Sequence, residues 1–206
     1  VITAREFQNR SRLLIYPLIL FVMAETIIQV ALPELHVTWL CVTLLSVLYF
    51  IYCSEMWNQL DALTGLLNQN SYLKQTGGVR CKGGVMVVFD VDDFKQINDR
   101  YGHIQGDLCL AGIAECIKKS YANFGYCYRI GGDEFCVLLK NGGNEGRCKQ
   151  EFLQRLQEKR GEIAFLPTVS YGSAPFSGED IVKVKDRADQ DMYQYKKERK
   201  NRKRLS

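Results

Sequence analysis

Five carboxylates stand in two short clusters that can act on one bound group. Asp90, Asp92 and Asp93 follow the apolar run Gly84-Val-Met-Val-Val-Phe89, and Asp133 and Glu134 follow the glycine pair Gly131-Gly132. When both runs are strands of one sheet, the two acidic loops can converge at one sheet end. Converging carboxylates are what a hard divalent cation requires. Magnesium takes few protein ligands and completes its shell with water and phosphate oxygens, so the pattern fits a nucleoside triphosphate better than a closed structural cage. Acidic residues at strand ends also cap helices, and the carboxylates alone leave that alternative open. A zinc site is not expected. His36 and His103 are the two histidines and lie far apart, and the eight cysteines form no Cys-x-x-Cys pair. Two of them, Cys41 and Cys53, sit in an apolar run, and all eight read as reduced thiols of a cytosol-facing chain.

The elements that hold these groups follow from periodicity and punctuation. Gly84 to Val91 is β-branched and bounded by glycines, which predicts a buried strand ending in carboxylates. Phe94 to Tyr101 predicts a short helix, and Gly106 to Tyr121 a longer amphipathic one with Leu108, Leu110, Ile113, Ala114 and Ile117 inward. Gly125 to Ile130 and Glu134 to Leu139 flank Gly131-Gly132 as a hairpin with a glycine turn. Glu145 to Arg160 predicts a helix, Thr168 to Ala174 a strand, and Glu179 to Lys200 a last helix, with 202–206 an unstructured basic tail. The order β-αα-ββ-α-β-α predicts an α+β domain of two layers, a mainly antiparallel sheet with helices to one side.

At 206 residues the chain has room for one such domain and an appendage. The net charge of +4 says little about partners, because the surplus gathers in the last turns, from Lys196 to Arg204. The N-terminal stretch 1–53 predicts a transmembrane helical hairpin with spans at about 13–32 and 37–53. Pro33-Glu-Leu-His36 makes the turn, and Trp39, Tyr49 and Tyr52 suit interface depths. Arg5, Arg10 and Arg12 place the preceding flank on the cytoplasmic side. Glu25 falls within the first span and must be protonated, paired or turned toward other helices. The alternative is a buried hairpin of a soluble helical domain. Because the chain begins with Val1, it reads as the end of a longer membrane region. Residues 54–60 continue the second span as a helical stalk able to pair two chains.

Five motifs then appear in order over residues 61–201: Asp61-Ala-Leu-Thr-Gly-Leu-Leu-Asn68, Asp90-Val-Asp-Asp-Phe-Lys-Gln-Ile-Asn98-Asp99, Gly102-His103-x-x-Gly106-Asp107, Arg129-x-Gly-Gly-Asp-Glu-Phe135 and Ala188-Asp-x-x-Met-Tyr-x-x-Lys196. The set resembles the GGDEF diguanylate cyclase family, and agreement of five motifs in register is far more specific than one pentapeptide. The resemblance implies a palm-like fold related to nucleotide cyclases. It also implies that Asp90, the Val91 carbonyl and Asp133 hold magnesium, with manganese as an alternative. Lys95 and Lys196 meet the terminal phosphates, which backbone N–H groups near Asp93 and Phe94 help to cradle. Gly131 and Gly132 let the hairpin approach the triphosphate closely. Asn98 and Asp107 match the donor edge of guanine and select GTP over ATP. Asp133 or Glu134 assists deprotonation of the attacking hydroxyl, with the choice between them open. The implied reaction joins two GTP into cyclic di-GMP and pyrophosphate across a homodimer, at the inner membrane with the cyclase domain cytoplasmic and no nucleic acid partner.

Three departures bear on that expectation. Asn68 is followed by Gln69 and Asn70 where the family often has two arginines. The ending Gly-Arg-Asn is replaced by Arg199-Lys200-Asn201, which sets Lys200 where a phosphate-binding arginine is usual; charge is kept and bidentate geometry lost. The Arg-x-x-Asp product-inhibition motif is replaced by Ala122-Asn-Phe-Gly125, which predicts little product feedback through that site. The competing reading is a catalytically degenerate domain that senses GTP or cyclic di-GMP; a third makes the soluble part a dimerisation module.

Overall fold

The computed structural model describes residues 38–57, 59–76 and 83–205, together with scattered residues between 20 and 31. The chain divides into two compact units, residues 1–58 and 59–206. In the first, helix α1 runs from Thr38 to Trp57. Most of the first expected span, Glu25 included, and the 33–36 turn lie outside the described residues. Among the described residues no helix is long and apolar enough to cross a membrane.

The second unit is built on a four-stranded sheet, β1 (Gly84–Val91), β2 (Gly125–Arg129), β3 (Glu134–Leu139) and β4 (Val169–Phe176). The strands lie in the order β2-β3-β1-β4, and every neighbouring pair is antiparallel. The remaining elements are helices α2 (Gln69–Thr76), α3 (Phe94–Tyr101), α4 (His103–Tyr121), α5 (Glu145–Glu162) and α6 (Ile181–Leu205). The expected α+β domain with its antiparallel sheet flanked by helices is present.

The helices cover both faces of the sheet, which corrects the expected two layers. Val85, Val87, Phe89 and Val91 of β1 join one core with Leu110, Ile113 and Ile117 of α4 and Phe152 of α5. Met86 and Val88 join the other with Tyr72 of α2 and with Val184 and Ala188 of α6. A strand buried on both faces has no polar side, so its sequence reads as a continuous apolar run and not as alternation. The run Val85 to Phe89 carries that signal. On the first face Phe89 meets the ring of Phe152 edge-on at 5.1 Å and that of Tyr121 at 5.7 Å.

Other boundaries move for local reasons. Helix α4 begins at His103, because Gly102 at φ 86° breaks the chain out of α3 while its N–H still donates to the Asn98 carbonyl. Leu108 is exposed and not inward; Cys109 and Leu110 take the buried stripe. The unanticipated α2 is nucleated by Asn68, whose Oδ1 accepts from the Ser71 N–H at 2.9 Å. The tail expected to be unstructured is helical through Leu205. No glycine or proline interrupts 181–205, and its terminal lysines and arginines favour a helix C-terminus. The cysteines at 53, 109, 116, 127, 136 and 148 are free thiols. Burial pushes Cys109 up to about 11 and Cys127 up to about 12, which leaves both inert.

One contact aims the last helix. A Cβ on Gly172 of β4 would lie 2.2 Å from the Met192 nitrogen and 2.3 Å from the Ala188 carbonyl oxygen, so α6 rests its backbone directly on the strand. Ala188 supplies the matching small residue. Lys196 follows one turn beyond Met192 on the same helix.

Candidate active site

The two acidic clusters meet as the strand ends predict. Asp90 of β1 stands directly opposite Glu134 of β3, and the Val91 N–H donates to the Asp133 carbonyl at 3.2 Å. Asp90 and Asp133 are half-buried, while Glu134 is exposed. Acid oxygens from two non-adjacent segments thus share one sheet end.

The turn between β2 and β3 spans residues 130–133 and is closed by N–H groups of Ile130 and Gly131 on the Glu134 carbonyl, at 3.0 and 3.3 Å. A Cβ at Gly132 would meet nothing within 4 Å, whereas one at Gly131 would press on the Glu134 side chain at 3.2 Å. Space beside Gly132 is therefore open. Arg129 braces this turn. Its Nη2 and Nε donate to the Gly132 carbonyl at 2.7 and 3.2 Å, and its Nη1 donates to Asp61 Oδ1 and Oδ2 at 3.0 and 3.2 Å. Asp61 Oδ1 also accepts from the Thr64 N–H and hydroxyl, at 2.9 and 2.6 Å. Burial pushes the Asp61 carboxyl up, but the bonds from Thr64 and Arg129 outweigh it and hold the group below its ordinary value.

A second network surrounds Asp92, which is 6% exposed. Its Oδ1 accepts from the Ser170 hydroxyl at 2.7 Å, and its Oδ2 from the Thr168 hydroxyl at 2.8 Å and from Arg199 Nη2 at 2.6 Å. Arg199 also donates to Thr168 Oγ1 and, through Nη1, to the Val169 carbonyl at 3.3 Å. Burial raises the Asp92 carboxyl, and the bonds from Ser170, Thr168 and Arg199 more than reverse it. Lys196 sits between the two acids, 2.5 Å from Asp90 Oδ2 and 3.4 Å from Asp92 Oδ1. Burial lowers the Lys196 ammonium, but its bond to Asp90 and the charges of Asp90 and Asp92 hold it above its ordinary value.

The remaining site residues lie on α3 and α4. Asp93 caps α3 in the left-handed region, at φ 54° and ψ 32°, without a side-chain cap bond. Asp of all non-glycine residues tolerates that conformation comparatively well. Phe94 packs against the first core, and Lys95 and Asp107 are exposed. Asn98 Oδ1 is buried with no hydrogen-bond partner. A Cβ on Gly106 would lie 1.9 Å from that same oxygen, so the glycine in Gly102-x-x-x-Gly106 makes room for the Asn98 amide. A buried amide oxygen left without a donor is costly, which marks it as a group awaiting one. The Lys200 side chain lies outside the described residues.

Residue spacing alone does not show Arg129, Asp61, Thr168, Ser170 and Arg199 as a framework. Asp61 and Arg129 stand within motifs whose spacing gives them no partner. Thr168 and Ser170 carried no signal, since a hydroxyl in a strand is ordinary until its partner is known. Among the described residues no group of three or more His, Cys, Asp or Glu side chains is arranged to hold a metal ion. Two carboxylates and a backbone carbonyl still fit magnesium, which leaves most of its shell to water and phosphate.

Comparison with known proteins agrees with this geometry. The family model for the diguanylate cyclase GGDEF domain matches residues 58–202. Diguanylate cyclase DgcS of Shewanella oneidensis is 32% identical over 154 residues, covering 71% of this chain and 52% of that protein. Diguanylate cyclase DgcP of Pseudomonas aeruginosa is 35% identical over 159 residues, covering 69% and 23%. The chain spans about half or less of the length of these curated relatives. A solved microbial GGDEF domain described with cyclic di-GMP superposes with a TM-score of 0.53 at 31% identity, covering 68% of this chain and 93% of that one. The GGDEF domain of DgcB from Caulobacter crescentus, in complex with c-di-GMP, does so with a TM-score of 0.53 at 26% identity, covering 68% and 90%. Motif register, strand order and these matches coincide over the same residues, and the chain belongs to the diguanylate cyclase GGDEF domain family.

Proposed function

We propose that this chain is a diguanylate cyclase that condenses two GTP into cyclic di-GMP, releasing pyrophosphate, as a homodimer in bacterial second-messenger signalling. The observation that carries the reading is the meeting of strand ends, Asp90 opposite Glu134 with the Val91 N–H on the Asp133 carbonyl. Asp90, Asp133 and the Val91 carbonyl would hold magnesium, or manganese in its place. Bound there, the ion would neutralise charge on the phosphate oxygens and polarise the attacked phosphorus.

The chain's own residues supply binding, orientation and proton handling. Lys95 and Lys196, with Lys200 a turn further on, offer cations to the terminal phosphates. The N–H groups at Asp93 and Phe94 open helix α3, where backbone donors favour an anion. Open space beside Gly132 and the slim Gly131 let the turn lie against the triphosphate. The orphan Asn98 Oδ1 accepts a guanine donor, and Asp107 takes another; adenine lacks that donor edge. Asp133 or Glu134 draws the proton from the 3′-hydroxyl of one GTP as it attacks the α-phosphate of the other. Each domain holds one GTP, so two domains must face each other and a monomer is inactive.

The apolar runs at 13–32 and 37–53 support an anchor in the inner membrane, with 54–60 as a stalk and the cyclase domain in the cytoplasm. The test is direct. The 206-residue chain given GTP and magnesium should form cyclic di-GMP and pyrophosphate, and Asp133→Ala should cut the rate about hundredfold or more. GTP binding without product at high protein concentration would instead favour the degenerate sensor.

A further inference from the structure

Arg199 stands where the family ending carries glycine, and nothing in the reading above uses it. The charges around it are evenly matched. Asp90 and Asp92 supply two carboxylates, and Lys196 and Arg199 supply the cations ion-paired with them among the described residues. Arg160 lies close enough to feel Asp92, but its Nη2 donates to the Pro167 carbonyl at 3.4 Å. The two pairings differ in depth. Asp92 is almost wholly enclosed and is bound by two hydroxyls and a guanidinium, whereas Asp90 has a side chain 20% exposed and is bound by the Lys196 ammonium.

An enclosed carboxylate needs a permanent countercharge, because leaving it unpaired costs far more than the pairing gains. Lys196 already stands 3.4 Å from Asp92 Oδ1. Without Arg199 it would be the nearest cation able to satisfy that acid, and it would be drawn inward. We propose that Arg199 is a positioning residue. By neutralising Asp92 it leaves Lys196 bound more closely to Asp90, at 2.5 Å, than to Asp92, at 3.4 Å, and the lysine is released to a substrate phosphate when Asp90 is taken by a cation. Arginine suits the static role, since its planar fork spans Asp92, Thr168 and the Val169 carbonyl at once. Lysine suits the exchanging one, as a point charge on a flexible stem.

This inference rests on the proposed binding of GTP, and direct titration of the 206-residue chain with magnesium and 3′-deoxy-GTP, which lacks the attacking hydroxyl and is not consumed, separates the two. Arg199→Met should weaken GTP binding about tenfold, and Arg199→Lys, which keeps the charge, by less than about threefold. The decisive variant is Arg199→Met combined with Asp92→Asn. Removing the acid removes the reason for Lys196 to move, so binding should return to within about threefold of the parent chain. A double variant as weak as Arg199→Met overturns the proposal, because Arg199 would then touch phosphate itself or merely brace the helix. Should Arg199→Met not fold, the same criterion applied to the double variant and to Arg199→Lys decides. A parent chain that binds no GTP overturns the underlying reading, and this inference with it.

Discussion

Two regions of the cyclase domain treat polar groups in opposite ways. The framework, Asp61 with Arg129 and Asp92 with Arg199, buries its charges wholly or in part and satisfies them through chain segments far apart in sequence. The side proposed to face the nucleotide, with Lys95, Asn98 and Asp107, leaves its groups exposed or, at Asn98 Oδ1, buried without a donor. The difference teaches where stability is held and where affinity is held in reserve. Framework residues contribute to the folded state whether or not nucleotide is present. Facing residues contribute almost nothing until it arrives.

That division can be broken most forcefully at Arg129. Its side chain is 15% exposed and that of Asp61 23%. Arg129→Ala leaves Asp61 without its cation and the Gly132 carbonyl without two donors. It should destabilise the domain by about 2 kcal/mol in urea unfolding, allowing for partial exposure. Product formation should fall by about a hundredfold, because the turn carrying Asp133 loses its brace. An unfolding midpoint equal to the parent's would show that the framework is not where stability lies.

The same pair sets a smaller, pH-dependent effect. The Asp61 carboxyl is held below its ordinary 3.8 in the folded chain. A carboxyl lower in the folded than in the unfolded state stabilises fully above the unfolded value, and that contribution is lost as pH falls through the folded one. The melting temperature of Asp61→Asn should therefore trail the parent's by more at about pH 7 than at about pH 3. A gap that does not narrow in acid would detach Asp61 from this role.

The smallest stability change is expected on the facing side. Asp107→Ala should shift unfolding by less than about 0.5 kcal/mol, since the side chain is exposed at a helix surface. Its effect belongs to binding, as a lost preference for GTP over ATP in competition titrations. A destabilised Asp107→Ala with unchanged nucleotide preference would reverse the comparison.

The positions on the proposed nucleotide side stand in motifs that residue spacing picks out, and the framework pairings do not follow from spacing. Asp90 was readable because it stands at the end of a short apolar run that announces a strand, and Asp133 and Glu134 because they stand where the next such run begins. Asn98 and Gly106 were readable as motif positions, though only the structure shows the glycine vacating space for the amide. The framework pairs join residues 68 and 107 positions apart, and no local pattern encodes which arginine meets which aspartate. Helices on both faces left a trace in the unbroken apolar run of β1, which the order of elements alone does not convey. Helix α2 was missed because its eight residues hold little apolar periodicity and depend on the Asn68 cap.

The close seat of α6 on Gly172 makes that helix a lever with a fixed fulcrum. From Met192 at the fulcrum to Lys196 the axis advances about 6 Å, so a tilt of about 10° displaces the lysine backbone by about 1 Å. Such an offset is of the size that costs a positioned reaction about a hundredfold. A side chain as small as alanine at position 172 would lift the helix from its pivot and reset that angle throughout. The placement of Lys196 is thus set by the thickness of one residue in the strand beneath the helix.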